Sequence, residues 1–376
     1  MNLIFIRKAD LVLIFSLLKI SFLYAQIDNR KLELVSELDS SKIKKVQFSF
    51  SSINYLKNNE YFNQMVDGYT LFGVYVNPQV RYQLTKKVLL EGGVFLDKTF
   101  GKSGFHAIEP TFSIKYQTDN WRLNFGNLEA NVAHRMIEPL INFEQIIRDP
   151  LEYGVQAKYQ KNDIFFDTWL DWQKSTIAGE AGQEHILFGV NYMGKKFKIQ
   201  GTRVSENQPE TGNQKLRLQP ILQLTAFHQG GQNTTGDLPV LTFMNLAAGL
   251  NFGKTINPKW NLSFEPYFVG YLENKNTGKA AYLNLKLESK STKFYLNYWN
   301  GNNYISPMGG GLFQSVSRKF GNENYTEKVR KLLIFRFIKE WELVENLNLS
   351  FRFEPHFDLK NQIFEHSEGL YLRLKI

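Results

Sequence analysis

Apolar and polar residues alternate one by one in long stretches of this chain, from about residue 45 to its end. In 346–354, for example, Leu347, Leu349, Phe351 and Phe353 alternate with polar neighbours. Successive side chains of a β-strand point to opposite faces, so a period of two indicates a strand with one apolar and one polar face. We therefore expect the chain to be almost entirely β-structure.

The length of these stretches separates a membrane barrel from a soluble β-sandwich. The stretches run to about 9–14 residues, whereas strands of globular proteins average about 5–6 and a tilted membrane-spanning strand needs about 9–11. Their connections are either short turns, such as 85–87, or longer loops, among them 128–151, 272–279 and 358–367. Short turns on one side and long loops on the other are typical of outer-membrane barrels.

The sequence therefore predicts an all-β fold, a transmembrane antiparallel up-and-down β-barrel of about sixteen strands. The strands are expected near 45–56, 70–84, 87–100, 104–118, 120–127, 152–160, 163–174, 184–193, 216–228, 240–253, 258–271, 279–288, 291–300, 328–339, 345–357 and 366–376. An even number puts both ends of the barrel domain on the periplasmic side. Residues 194–215 are ambiguous: they form a periplasmic excursion or hide a further strand. Fourteen and eighteen strands are the alternative counts.

The N-terminus has the pattern of a secretory signal peptide, residues 1–25. Arg7 and Lys8 precede the apolar stretch 11–24, and Ala25 is a small residue suited to cleavage. The following residues, 26–44, are charged and do not alternate, so we predict a short periplasmic tail there. The barrel would occupy 45–376, in the outer membrane of a Gram-negative bacterium.

Composition argues against several kinds of site. The chain has no cysteine, which excludes a disulfide framework, a thiolate metal site and a cysteine nucleophile. The six histidines are scattered singly without metal-ligand spacing, so we expect neither a metal nor a cofactor. The formal net charge of +9 could suggest nucleic acid, but an exported chain seldom meets any, and none is expected as a partner.

A barrel of this size should enclose water. Every backbone N–H and C=O in hydrocarbon must be paired, so the sheet has to close, and sixteen strands leave a lumen too wide for wall side chains to fill. Alternation predicts that the following charged residues line this lumen: Arg81, Arg122, Lys158, Asp167, Asp171, Arg217, Glu265, Arg336, Arg352, Glu354 and Arg373. Because both signs are present, these residues either brace the wall as ladders of opposite charge or steer a solute.

Loop 128–151 is the strongest candidate for a pore constriction. Ile137, Leu140, Ile141 and Ile147 recur at helical spacing, and a loop with an apolar helix face can fold into the lumen to bury it. Its charged residues would then form a mixed-charge constriction: His134, Arg135, Glu138, Glu144, Arg148 and Asp149. The alternative is an outward loop that caps the rim or contacts a neighbour.

Four motifs extend the interpretation beyond the general pattern. They are I-E-P-L-I-N-F-E at 137–144, W-L-D-W at 169–172, E-H-I-L-F-G at 184–189 and H-Q-G-G-Q at 228–232. In order and spacing they resemble the porin-like outer-membrane barrels of Bacteroidetes, over about a third of the chain. The resemblance implies a passive or weakly selective channel for small hydrophilic solutes, embedded in outer-membrane lipid. It implies no catalytic residue, so the protein is not expected to be an enzyme.

Two other functions remain open. A non-conducting barrel could serve as a subunit or docking platform of an outer-membrane complex, or associate with itself. A barrel hydrolase acting on lipid or peptide would need a nucleophile beside a histidine. His228, with Gly230 and Gly231 after it, is the histidine at a loop edge that suits such a site. A rim residue at a glycine turn is the simpler interpretation.

Overall fold

The computed structural model describes residues 28–177, 180–199, 216–231 and 238–376, so the predicted signal peptide lies outside the described residues. The described part forms one antiparallel sheet, which closes because β1 pairs with both β2 and β17. The strands are β1 (Val46–Glu60), β2 (Tyr69–Gln83), β3 (Val88–Thr99), β4 (Ala107–Gln117), β5 (Trp121–Asn127), β6 (Tyr153–Lys161), β7 (Ile164–Lys174), β8 (Glu184–Met193), β9 (Phe197–Ile199), β10 (Leu216–Gly230), β11 (Leu241–Asn257), β12 (Trp260–Glu273), β13 (Asn276–Glu288), β14 (Thr292–Asn302), β15 (Val329–Val344), β16 (Leu347–Asp358) and β17 (Ile363–Lys375).

The barrel has sixteen strand positions, as the sequence predicts. Strands β8 and β9 both pair with β10, β8 along 221–230 and β9 along 216–218. Strand β9 therefore continues β8 in the same position of the wall and adds no position of its own. The ambiguous segment 194–215 thus contributes β9, and its residues 200–215 lie outside the described residues.

Two connections predicted as long loops are tight. Strands β12 and β13 are joined by Asn274 and Lys275 alone, and β16 and β17 by 359–362. Asn274 has a φ of 50°, and asparagine is one of the few residues that readily adopts the left-handed conformation used in short hairpin turns. The polar composition of these segments suggested loops, whereas the strands continue through them almost to the turn.

Helices are few and short. The 3₁₀ turns are Arg30–Leu32, Ser40–Lys42, Asn131–His134 and Gly311–Phe313, and one α-helical turn, α1, covers Gln145–Arg148. None of the helices among the described residues is long and apolar enough to cross a membrane.

The outer wall carries a broad apolar surface. Large hydrophobic side chains such as Phe72, Leu123, Leu246, Phe335 and Leu370 are at least 39% exposed although they lie within strands. A soluble protein rarely exposes so continuous an apolar surface, whereas a barrel buries such a belt in lipid. The protein is an outer-membrane β-barrel, as the sequence predicts.

The middle and the loop end of the interior are packed, whereas polar cavities of about 480 and 400 Å³ remain toward the short turns, so the expected aqueous bore is present there and filled above. Loop L3 (128–152) lies inside the barrel, where its Ile137 and Leu140 contact inward-facing Tyr282 and Trp299 and Phe313 of loop L7 (303–328). Further apolar clusters join L3 to the walls around β1–β3 and β17 and around β7, β8 and β10. The inward faces are therefore not purely polar, and the two loops supply apolar side chains that fill the space between the walls.

The segment predicted as a periplasmic tail folds back into the barrel. We call residues 28–38 the strap. Leu32 is 1% exposed and belongs to the cluster around β1–β3. Wall cations donate to main-chain carbonyls of the strap: Arg373 Nη2 to Glu33 O at 2.9 Å, Arg81 Nη2 to Glu37 O at 3.0 Å, and Lys375 Nζ to Val35 O. Since an extended segment outside a sheet leaves its carbonyls unpaired, these wall residues satisfy them.

Candidate functional site

The eleven charged wall residues predicted for the lumen all lie on inward faces, and several form ladders of opposite charge. Arg81 Nε lies 2.8 Å from Glu91, Arg336 Nε lies 3.0 Å from Glu354, and Lys158 Nζ lies 3.7 Å from Asp167. Arg217 donates to Thr255 Oγ1 at 3.1 Å near the short-turn end. Bracing of the wall is the arrangement that these contacts favour; a role in steering solutes stays a prediction.

The predicted constriction residues lie along L3, where four of the six meet partners inside the barrel. Glu138 pairs with Arg336, Glu144 accepts from Asn59 Nδ2 at 2.8 Å, and Arg135 Nε lies 3.3 Å from Glu33 of the strap. The other two, Arg148 and Asp149, are exposed at the end of α1. The six do not form one ring around an open pore.

The helix predicted across L3 is much shorter than its spacing suggests. Only α1, Gln145–Arg148, is α-helical. Pro139 cannot donate a helical hydrogen bond and obstructs the preceding turn, and the Asn142 side chain accepts from Glu144 N at 3.1 Å. The apolar residues of L3 are therefore buried by packing against the walls and not along one helix face.

His134 fastens L3 to the wall. Its ring is fully buried and stacks on Trp169, with 3.6 Å between the ring centroids. Nδ1 lies 2.8 Å from Asp167 Oδ2 and Nε2 lies 2.6 Å from Glu152 Oε2. Burial lowers the pKa of His134, but the two carboxylates outweigh burial and raise it to about 9. With a carboxylate on each ring nitrogen, His134 is suited to hold the loop in place and not to accept a proton from a substrate.

The contacts of His134 with Asp167 and Glu152, which we call the His134 clamp, predict that the stability of the protein depends on pH. The pKa of His134 is raised above its unfolded value of about 6.5, so the stabilisation is complete below that pH and is lost as the pH rises through about 9. We expect the wild-type protein in detergent to unfold at lower urea concentration at pH 9.5 than at pH 6.5, by up to about 3 kcal/mol in the free energy of unfolding. His134→Gln should show a much smaller difference between the two pH values. An equal loss in both proteins would contradict the clamp.

A histidine and a hydroxyl meet on the outer wall at the loop end of the barrel. His228 of β10 lies opposite Thr242 of β11, and His228 Nδ1 is 2.9 Å from Thr242 Oγ1. Both lie on outward-facing positions, and Thr242 is exposed. A neutral imidazole that accepts a hydroxyl proton is the arrangement that activates a serine or threonine nucleophile. Sequence reasoning identified His228 but missed Thr242, because only the strand register brings the two together.

Two glycines after His228 allow side chains to approach the backbone closely. A Cβ on Gly230 would lie 3.1 Å from His228 Nε2, and one on Gly231 would lie 2.8 Å from Glu184 Oε2. Gly231 also has a φ of +118°, which other residues rarely adopt. His228 and the Glu184 carboxylate thus border the same pair of glycines, although in the described parts of the chain no carboxylate is hydrogen-bonded to the His228 ring.

Apolar side chains surround the His228–Thr242 pair. Directly below His228 on the outward face is Ala226, a small residue that lies in register between Phe188 and Met244. Phe188 is 37% exposed, Met244 40%, and Val240, just before Thr242, 58%. A small residue between two large ones leaves a shallow apolar depression below a polar pair. Such a surface matches the boundary between the head and the chains of a lipid.

Within the described ranges, no group of three or more histidine, aspartate and glutamate side chains is arranged so that it could hold a metal ion. The chemistry that the described residues offer at the rim is that of an imidazole, a hydroxyl and a nearby carboxylate.

Solved structures similar to this chain include outer-membrane proteins. OpdL of Pseudomonas aeruginosa matches with a TM-score of 0.49 and 10% identity, covering 88% of this chain and 98% of its own. OprD of the same organism matches with a TM-score of 0.47 and 11% identity, covering 95% of this chain and 99% of its own. OmpT of Vibrio cholerae matches with a TM-score of 0.48 and 11% identity, covering 90% of this chain and 100% of its own. No curated protein matches the sequence.

A family model covers the whole barrel together with the last residue of the strap. The model for lipid A 3′-O-deacylase-type proteins matches residues 38–376, about nine-tenths of the chain. This family is one of enzymes, so the expectation that the protein is not an enzyme is wrong. The resemblance to porin-like barrels identified the kind of fold but not the kind of activity. The chain belongs to the lipid A 3′-O-deacylase-type family.

Proposed function

We propose that this protein is an outer-membrane esterase that removes an acyl chain from a glycolipid of the lipid A class, at the ester named in its family's description. The observation that carries the proposal is the His228–Thr242 pair, which faces outward at the loop end of the wall above an apolar depression. A hydrolase for membrane lipids needs its reactive groups where lipid esters lie, at the boundary between head groups and chains.

The pair can perform acyl transfer by a familiar sequence of steps. Thr242 Oγ1 attacks the ester carbonyl carbon while His228 Nδ1 takes the hydroxyl proton. The C–O bond to the sugar then breaks, and the imidazolium returns the proton to the leaving sugar oxygen. Water, deprotonated by His228, hydrolyses the acyl-threonine and releases the fatty acid. The Glu184 carboxylate lies on the same outward face, in register opposite Gly230.

The packed bore is a further reason to favour an activity on the outer wall. A diffusion channel for hydrophilic solutes needs a continuous aqueous path, whereas L3 and L7 fill the middle and the loop end of the barrel above the polar cavities near the short turns. The His228–Thr242 pair requires no such path, because its substrate would arrive laterally through the membrane.

The activity can be tested directly on purified protein. We expect detergent-solubilised protein mixed with hexa-acylated lipid A to release one free fatty acid per lipid and to leave a product lighter by that acyl group. Mass spectrometry of the lipid and of the extracted fatty acid measures both products. A heat-unfolded sample is the control, and intact lipid A after prolonged incubation with folded protein would contradict the proposal.

A further inference from the structure

A second feature of the outer wall is a group of lysines on the loop end of β12–β15. Lys275 lies in the β12–β13 turn, Lys279 on β13, Lys328 just before β15 and Lys331 on β15. All four are exposed. Within the described ranges, no carboxylate oxygen lies within 4.0 Å of any of these four ammonium groups. Other rim cations differ: Lys360 pairs with Glu327 at 3.0 Å, and Lys319 donates to Asn63 O at 2.7 Å.

The strand register places two of these lysines on one face. Lys279 lies opposite Asn302 of β14, and Lys331 lies opposite Asn300, two residues further along the same strand. Burial alternates so that all four residues are exposed on the outward side. The two lysines are two strand spacings apart across the sheet and two residues apart along it, about 12 Å in all, with two exposed carboxamides between them. An anionic group between the lysines would therefore find both positive charge and amide donors.

Apolar wall begins directly below this polar group. Ala281 and Leu283 follow Lys279 on the outward face, and Leu333 and Phe335 follow Lys331. The lysines thus stand at the upper edge of the lipid-facing belt, at the height of lipid head groups.

The charge of the rim differs around the barrel. On the outward face of β1 and β17, Asn58 Nδ2 donates to Glu60 at 2.7 Å and to Glu368 at 3.1 Å, so two carboxylates stand close together there. An anionic head group would be repelled from that side and attracted to β13–β15. Because of this difference in charge, an anionic lipid should bind at the lysine face in preference to the face of β1 and β17, although both faces adjoin the apolar belt.

We propose that the outward face formed by Lys279, Asn300, Asn302 and Lys331 binds the phosphate-bearing head of an outer-leaflet lipid, whose chains lie along the belt below. The charges of Lys279 and Lys331 are complementary to phosphate, and the adjoining apolar strip selects a lipid over a soluble anion. Two strands, β11 and β12, lie between His228 on β10 and Lys279 on β13, and the site does not depend on catalysis at His228.

The test uses a phosphorylated lipid that is not a glycolipid. The protein is placed in phosphatidylcholine nanodiscs with dilute phosphatidic acid, and co-released lipids are counted by native mass spectrometry. Each membrane-surface lysine contributes about 1 kcal/mol to binding of anionic lipid, so Lys279→Gln/Lys331→Gln should retain phosphatidic acid at least about tenfold less well. The matched control is Lys259→Gln/Lys290→Gln, which removes two exposed lysines at the short-turn end.

Three outcomes would overturn the lipid site. The lysine variant could retain phosphatidic acid as well as the wild type, or the control pair could lose it equally, which would indicate a general charge effect. Alternatively, inorganic phosphate at millimolar concentration could displace the lipid completely, which would indicate a site for soluble anions. Unchanged heat-modifiability on gels shows that each variant retains its folded barrel.

Discussion

Replacing His228 with alanine should lower kcat/KM for release of fatty acid from lipid A by about a thousandfold, since a positioned general base contributes about 10²–10⁴-fold. Thr242→Ala should cause a loss of the same order, because the proton acceptor and the nucleophile act in the same step. The reason is geometric. His228 Nδ1 lies 2.9 Å from Thr242 Oγ1, and a hydroxyl activated by the imidazole requires both atoms. Kinetics with purified variants in mixed micelles measure the effect.

The double variant distinguishes a catalytic pair from two independent contributions. Residues that act as a unit are strongly non-additive, so His228→Ala/Thr242→Ala should be about as inactive as either single variant. His366→Ala is the matched control, because His366 also lies on the outward face near the loop end, on β17 beside Glu368 at 3.4 Å. Full activity in His228→Ala, with a folded barrel, would place the reaction elsewhere.

Deletion of residues 130–148 should turn a closed barrel into an open one. L3 contributes the side chains that contact the walls on all sides, so its removal leaves a sixteen-position barrel whose lumen is wide enough for water. We expect wild-type proteoliposomes to swell no faster than empty liposomes in small neutral sugars, and the deletion variant to swell at a rate typical of an open pore. Swelling rates with sugars of graded size would also give the new cut-off.

A deletion elsewhere controls for general damage to the barrel. Residues 102–104 lie in an exposed loop between β3 and β4, and their removal should leave swelling at the wild-type rate. Rapid swelling of the wild type would show that the bore is already open. Slow swelling of the 130–148 deletion would show that the strap and L7 close the barrel by themselves. Either result would contradict the closure that we assign to L3.

Strand positions were predictable because the membrane imposes a simple rule. Each strand must expose apolar residues to lipid at every second position, so 346–354 and 366–376 could be recognised from their alternation, and β16 and β17 lie there. The wall charges followed from the same alternation. The apolar residues of 128–151 also indicated a loop that folds into the interior. Their helical spacing, however, predicted a longer helix than the single turn α1.

The pairing of His228 with Thr242 could not be predicted from the sequence, for a physical reason. Thr242 stands fourteen residues after His228, and nothing in that separation indicates contact; the register of β10 against β11 decides it. Glu184 reaches the same two glycines from β8 because β8 is the other neighbour of β10. The family match, and not any motif of catalytic spacing, corrected the expectation that the protein lacks enzymatic activity.

The amino-acid order alone determined that this chain forms a wall of long strands with an apolar exterior, because each strand's two faces are encoded locally by alternate residues. The count of sixteen positions was settled by the pairing of β8 and β9 with β10. Only the tertiary structure decided what occupies the interior and which side chains meet. Contacts of the strap with Arg373 and Arg81, of His134 with Asp167, and of His228 with Thr242 join residues distant in sequence or on different strands. Such contacts depend on closure and register, which local alternation does not specify.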